Sequence, residues 1–244
     1  MPARSLSLLA GAVLLGAGIA TGGWFVGHGF ALGRSPDRHV TVKGLAEREV
    51  RSDLALWPLR FVATGNELAT VERQIAIDGR KVRGFLERQG IPATAIEVSR
   101  LEVIDLIAQA WRQGPVDERF IVAQTLMVRS SEVELVETAH QAIAELIAEG
   151  VVLSSDGGPS SAPVYLFTGL NDIKPDMIAV ATRNARASAE QFAADAGSRL
   201  AGIRRANQGV FEILPRDQAP GIAAEQQVAK TVRVVSTIDY LLED

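Results

Sequence analysis

The chain has no cysteine among its 244 residues. That absence excludes disulfides, thiol nucleophiles, thiolate zinc sites, iron–sulfur clusters and a lipid-acylated cysteine. Histidine is nearly as scarce, with only His28, His39 and His140. No HExxH, GxSxG, phosphate-loop or dinucleotide-type glycine pattern occurs, so the standard hydrolase and nucleotide sites lack their signatures. Excess positive charge is missing too. The 25 Lys and Arg are dispersed among 29 Asp and Glu for a net charge of −4, which leaves no basic stripe to neutralise phosphates and argues against nucleic acid as a partner. With 47% hydrophobic and 22% charged residues the composition is that of a globular chain.

The most telling absence is local. From Ser5 to Gly33 there is no Asp, Glu, Lys or Arg, and at about 1.5 Å per residue the run from Leu6 to Val26 spans roughly 30 Å, the thickness of a bilayer's hydrocarbon. Arg4 precedes it, Trp24 and Phe25 fall at the level of an interfacial belt, and Arg34 and Arg38 follow. Eight glycines between Gly11 and Gly33 suit a membrane helix better than a buried soluble one. Residues 1–34 are therefore expected to be a signal anchor that makes the membrane a partner through residues 6–26, and residues 35–244 one soluble domain. Cleavage of a signal peptide after the small residues Gly29 and Ala31 is the alternative. Charge does not orient the segment, because Arg4 faces Arg34 and Arg38 across it.

After the segment, His39–Lys43 and Asp53–Thr64 read as strands, the second with Trp57, Leu59, Phe61 and Ala63 on one face and Pro58 marking an edge or bulge. Asn66 is the expected N-cap of a helix carrying Leu68, Val71, Ile75, Val82 and Phe85, closed by Gly90 and Pro92. A hairpin of about Ala95–Ile107 and Glu118–Arg129 follows, turning at Gly114 and Pro115. Ser131 and Glu134 fit a capping box for a helix whose Val136, Ala139, Ile143 and Ile147 share a face. Then come a short strand at Pro163–Thr168, a third helix from Pro175 to Gly197 with the face Ile178, Ala181, Ala185, Ala189 and Phe192, a strand near Gly209–Leu214, and a long alternating strand from Val228 to Leu242. The fold class this predicts is α+β: antiparallel sheets with three main helices packed on one side, plus the N-terminal membrane helix. A helix followed by paired strands in both halves points to an internal structural duplication.

Three stretches together carry a family resemblance: Val40 through Gly44 to Asp53, Gly90-Ile91 leading to Ile96, and Asn184-Ala185-Arg186-Ala187-Ser188-Ala189-Glu190-Gln191-Phe192-Ala193 with Gly197 and Gly202. The pattern resembles the SIMPL domain family, a domain of unknown function, over nearly all of the chain beyond the anchor. The resemblance implies an α+β fold, export to the periplasm or envelope of a bacterium, self-assembly into oligomers in some members, and a link to stress defence. It supplies no catalytic residues. Ser188 stands where relatives often carry Lys.

Candidate chemistry is thin. His140 is alone in the domain, and base work needs a positioned partner. Asp53, Asp105, Asp172, Asp176 and Asp195 converge only if the fold brings them together; their plain reading is turn, cap or surface. The Asp156-Gly157-Gly158-Pro159 turn lacks the alternating ligands of a calcium loop. Around the third helix and its exit, Arg183, Arg186, Arg204, Arg205 and Asn207 form the candidate partner-binding set, against the plainer reading of a solvated face with pairs such as Arg186 and Glu190. No catalytic residue, metal or cofactor is expected. The function expected is a non-enzymatic, self-associating or partner-binding envelope protein. The alternative is a small-ligand receptor or enzyme whose acidic and arginine site is assembled only by the fold.

Overall fold

In a computed structural model, the structure describes residues 3–32, 38–108, 117–154 and 162–243, with side chains of the first helix described for residues 15–29. The turn expected at Gly114 and Pro115 and the Asp156–Pro159 turn lie outside the described residues. Two compact units organise the chain: Lys43–Ala185 with Asn207–Thr237, and Met1–Val42 with Arg186–Ala206 and Ile238–Asp244.

In the first of these units, one sheet has the order β3-β4-β2-β5, from β2 (Leu54–Gly65), β3 (Ile96–Asp105), β4 (Phe120–Ser130) and β5 (Val164–Leu166). All its pairings are antiparallel. Helix α2 (Leu68–Arg88) packs on it because Val71, Ile75, Val82, Phe85 and Leu86 recur along one stripe and meet Trp57, Leu59 and Phe61, all fully or nearly fully buried. Burying each such side chain contributes about 1.5–3 kcal/mol. Gly90, at φ +87°, ends the helix, and Ile91 N–H returns to Leu86 O at 3.0 Å, the closure that glycine's left-handed conformation permits.

Pro58 does not mark a sheet edge, because β2 lies between β4 and β5; it falls at a local gap in the pairing. It lies opposite Met127 on one side, while on the other side β5 covers only residues 54–56 and Leu153 bridges Phe61. Val62 N–H donates to Val152 O on that same side, so alternation aims the nitrogen of Pro58 at the gap between the two pairings, where no donor is needed.

Two expected caps are corrected. Asn66 does not cap α2: its amide donates to Asp117 O and its carbonyl oxygen accepts from Arg119 N–H, so it pins the approach to β4. The Ser131–Glu134 box is absent as well; Glu132 N–H is held by Ser130 Oγ, and Glu134 is drawn to Arg51 at 2.8 Å. The helix there splits into α3 (Val133–Gln141) and α4 (Ala144–Ala148). The break turns Leu146 into the core and leaves Ile147 exposed. With α5 (Leu170–Asp195), the described chain therefore has four helices after α1 rather than three.

The second sheet has the order β1-β8-β6, with β7 also on β8, from β1 (His39–Arg51), β6 (Arg199–Gln208), β7 (Glu212–Pro215) and β8 (Ala229–Glu243). Leu242 N–H bonds Arg38 O, Thr41 bonds Asp239, and Ser52 N–H bonds Val228 O, an antiparallel course for β1 and β8. The alternation expected of β8 holds and extends to Lys230 and Ser236, which share the buried face with Val232, Val234, Ile238 and Tyr240. β6 is an addition to the expected elements: the sequence pattern over Arg199–Gln208 suggests only the exit of a helix.

Helix α5 starts before Pro175 and carries it inside. Its start is fixed instead by Asp53, whose carboxylate accepts from the N–H groups of Thr168 and Gly169 at 2.8–3.0 Å, charge and acceptors where a helix N-terminus needs them. The buried face is Met177, Ala181, Ala185, Ala189 and Ala193; Phe192 falls off it and is 60% exposed. The alanines admit a close approach. A Cβ at Gly44 of β1 would collide with Ala181 O and with Ala185 N, and Asn184 Nδ2 donates to Leu45 O at 2.8 Å beside them.

Both sheets share one arrangement. β2-α2-β3-β4 and β1-α5-β6-β8 are each strand, helix, strand, strand, and in each the last strand pairs with the first while the middle one takes an edge. The first arrangement is inserted in the sequence of the second.

The remaining helix, α1, runs Ala3–Leu32. Among the described residues no helix is long and apolar enough to cross a membrane; the expected span, residues 6–26, begins before the side chains that are described. Those of Leu15, Ile19, Trp24, Phe25 and Val26 are 68–75% exposed, and Trp24 stacks on His28 at 5.7 Å.

Candidate functional site

The predicted arginine set is spread over helix and strand. Arg183 is an exposed residue of α5. Arg186 gives its Nε to Glu190 Oε1 at 2.9 Å, one helical turn away, and that carboxylate raises its pKa. Arg204 contacts His39 Nδ1 at 3.1 Å. Arg205 follows it on β6, and Asn207 lies further along the same exposed run. The plainer reading holds for Arg186 and Glu190. For the three beyond the helix the structure supplies something unforeseen: positions 202–208 are exposed on both strand faces, so Arg204, Arg205 and Asn207 belong to a sheet edge open to solvent.

Of the five carboxylates expected to converge only through folding, four have separate partners. Asp53 holds the start of α5, as above. Asp105 forms a forked pair with Arg119 at 2.7–3.2 Å, and the guanidinium holds its pKa below the usual carboxylate value. Asp176 lies 3.8 Å from Arg48, and Asp195 accepts from Gln191. Asp172 stands in the first turn of α5. Among the described residues no group of three His, Asp or Glu is placed to hold a metal ion.

His140 is packed, not poised. Its ring meets Trp57 edge-on at 5.5 Å and 84°, its Nδ1 is buried without a hydrogen-bond partner, and burial lowers its pKa. Burial favours the neutral imidazole, and its Nδ1 lacks the orienting acceptor that a general base requires. Tyr165 is likewise buried, which together with nearby Glu137 pushes its phenol up to about 12.

Two clefts were beyond sequence reasoning. A cavity of about 270 Å³ is lined by Val62, Thr64, Gln74, Asp78, Gly150 and Val152. Asp78 is 2% exposed there but already accepts from Gln74 at 2.9 Å and lies 3.7 Å from Lys81. Lys81 in turn donates to Glu149 O at the end of α4, so the carboxylate is part of a helix-to-helix tie. A second cleft brings Arg51 and Arg216 together with Glu137, Asp217 and Gln226. Each arginine there is spoken for, Arg51 by Glu134 and Arg216 by Asp217 at 2.9 Å. Nearby Lys230, fully buried, gives its ammonium to Ala224 O and Gln227 O, closing the turn before β8.

The arrangement is an α+β fold of two strand–helix–strand–strand sheets. The chain belongs to the SIMPL family, described as a protein of unknown function (DUF541), with the match running over residues 40–238. Among curated proteins, none matches the chain.

Proposed function

We propose that this SIMPL protein is a single-pass envelope protein, held in the bacterial inner membrane by α1 with its α+β domain on the periplasmic side, and that the domain works without catalysis, by self-association or by binding a protein partner in stress protection. The observation that carries the reading is α1 itself. No Asp, Glu, Lys or Arg interrupts Ser5–Gly33, and the described large apolar side chains of that helix face outward, a surface that water penalises and lipid does not. Support for a binding rather than a chemical role comes from the local engagement of Asp53, Asp105, Asp195 and Arg186 and the packing of His140. Arg204, Arg205 and Asn207 on the open β6 edge offer charge and hydrogen bonds to a partner.

Carbonate washing of membranes from cells making the full-length protein tests the anchor. The protein is expected to stay in the pellet at full mass. Release of intact chain into the supernatant overturns the anchor, and a mature form lacking residues up to about Ala31 replaces it with export after cleavage.

A further inference from the structure

Strand β3 ends its sheet, with β4 on one side and no strand on the other among the described residues. Ile96, Val98, Leu101 and Val103 lie opposite Val128, Leu126, Gln124 and Val122 of β4. Those same β4 residues lie opposite Trp57, Leu59, Phe61 and Ala63 of β2, so the β3 row shares the face that α2 covers. Only Ile96 is sheltered. Val98, Leu101 and Val103 are 51%, 60% and 53% exposed, an apolar row left uncovered beside an open backbone edge, the combination that natural edges avoid unless it is used.

The opposite face of β3 carries charge. Glu102 receives Arg60 at 3.1 Å and Arg100 at 3.1 Å. Ser99 falls at a register shift between Val98 and Arg100, a bulge that bends the strand and limits any straight added pairing to about Ser99–Val103.

We infer that β3 is where a second copy of this chain docks, by antiparallel edge-to-edge pairing about a two-fold axis at Leu101. This rests on the self-association part of the function proposed above. The charges select the register. With Leu101 opposite the second copy's Leu101, each Arg100 faces a Glu102 across the axis, and Val103 continues the apolar row on both sides. Moving the axis one residue either way sets Glu102 against Glu102 or Arg100 against Arg100, like charges directly opposed. The half-step register sets Leu101 against Glu102. An isologous contact of this kind closes on itself as a dimer and joins two four-stranded sheets into one of eight strands.

The absence of cysteine makes the test direct. Full-length protein carrying Leu101→Cys, oxidised in its own membranes, is expected to cross-link into a covalent dimer as its major form, because residues facing each other across an antiparallel pair lie within disulfide reach. Val210→Cys, on a residue 83% exposed, is the control and is expected to remain monomeric. Leu101→Lys, a change at an already exposed site, is expected to halve the mass of the detergent-solubilised assembly measured by light scattering. If the wild-type protein self-associates but the Leu101→Cys variant does not cross-link and Leu101→Lys leaves the mass unchanged, the β3 interface is wrong and self-association stands. A wild-type protein that is monomeric at every concentration overturns both. Stronger cross-linking through Glu102→Cys than through Leu101→Cys overturns the register.

Discussion

Gly44 of β1 lies so close to Ala181 of α5 that the helix carbonyl occupies the space a side chain at residue 44 would need. The contact explains why the buried face of α5 is alanine at Ala181 and Ala185: a larger residue there would hold the helix off the strand. Gly44→Ala is expected to destabilise the protein by about 1–3 kcal/mol through overpacking. Thermal unfolding of the full chain in detergent should show it as a fall of several degrees in Tm, about 2–4 °C for each kcal/mol in a chain of this size. An unchanged Tm would mean that the approach is looser than described.

Asp53 and α5 give a second test. Asp53→Ala leaves the Thr168 and Gly169 N–H groups without their acceptor, at an expected cost of about 0.5–2 kcal/mol. Hydrogen exchange should report the loss as faster exchange confined to the first turns of α5. Acceleration spread evenly over the protein would point to a global effect instead.

The pair of Asp105 and Arg119 should be felt in acid. Because Arg119 depresses the folded pKa of Asp105, the pair's contribution is present above the unfolded carboxylate's pKa and is lost as pH falls through the folded one. Arg119→Gln is expected to move the Asp105 titration, followed by carboxyl NMR, back up toward its ordinary value. The difference in stability between wild type and this variant should shrink below about pH 4. A titration that does not move would break the assignment.

His140 acts in a higher window. Burial lowers its folded pKa, so the neutral ring is favoured by the fold, and its stabilising share is present above the unfolded value of about 6.5 and declines as pH falls below it. His140→Phe, keeping the edge contact with Trp57, is expected to lose less stability than wild type between about pH 7.5 and 5.5, the range that brackets that unfolded value. Equal losses would show that the imidazole titrates freely.

The legible parts of the fold were those in which burial alone dictates the pattern. Alternation in β2 and β8 placed Trp57, Leu59, Phe61, Val232 and Tyr240 on buried faces, and the alanine repeat marked a tight contact for α5. Polar residues were less legible, because a short side chain has several donors within reach and tertiary structure chooses among them. Asn66 and Glu134 had the right chemistry for capping but are engaged by Arg119 and Arg51. Pro175 looks like a helix start because its fixed φ suits one; the true start is set by Asp53, more than a hundred residues earlier. β6 is hidden in the sequence because both of its faces are wet from Gly202 to Gln208, which erases the period that betrays a strand. For the same reason the Arg204, Arg205 and Asn207 group could be proposed as a binding surface but not recognised as a sheet edge.

The pairing of β1 with β8 also dictates an order of events as the chain is made. β2, α2, β3 and β4 are contiguous, so their sheet can close while later segments are still being synthesised. β1 cannot pair so early: Thr41 and its partner Asp239 are 198 positions apart, and the strand nearest the N-terminal helix must wait until β8 has left the ribosome. A chain truncated in β8 would therefore present a finished first sheet and an orphaned β1, a nascent state in which quality control would have an unpaired strand to grasp.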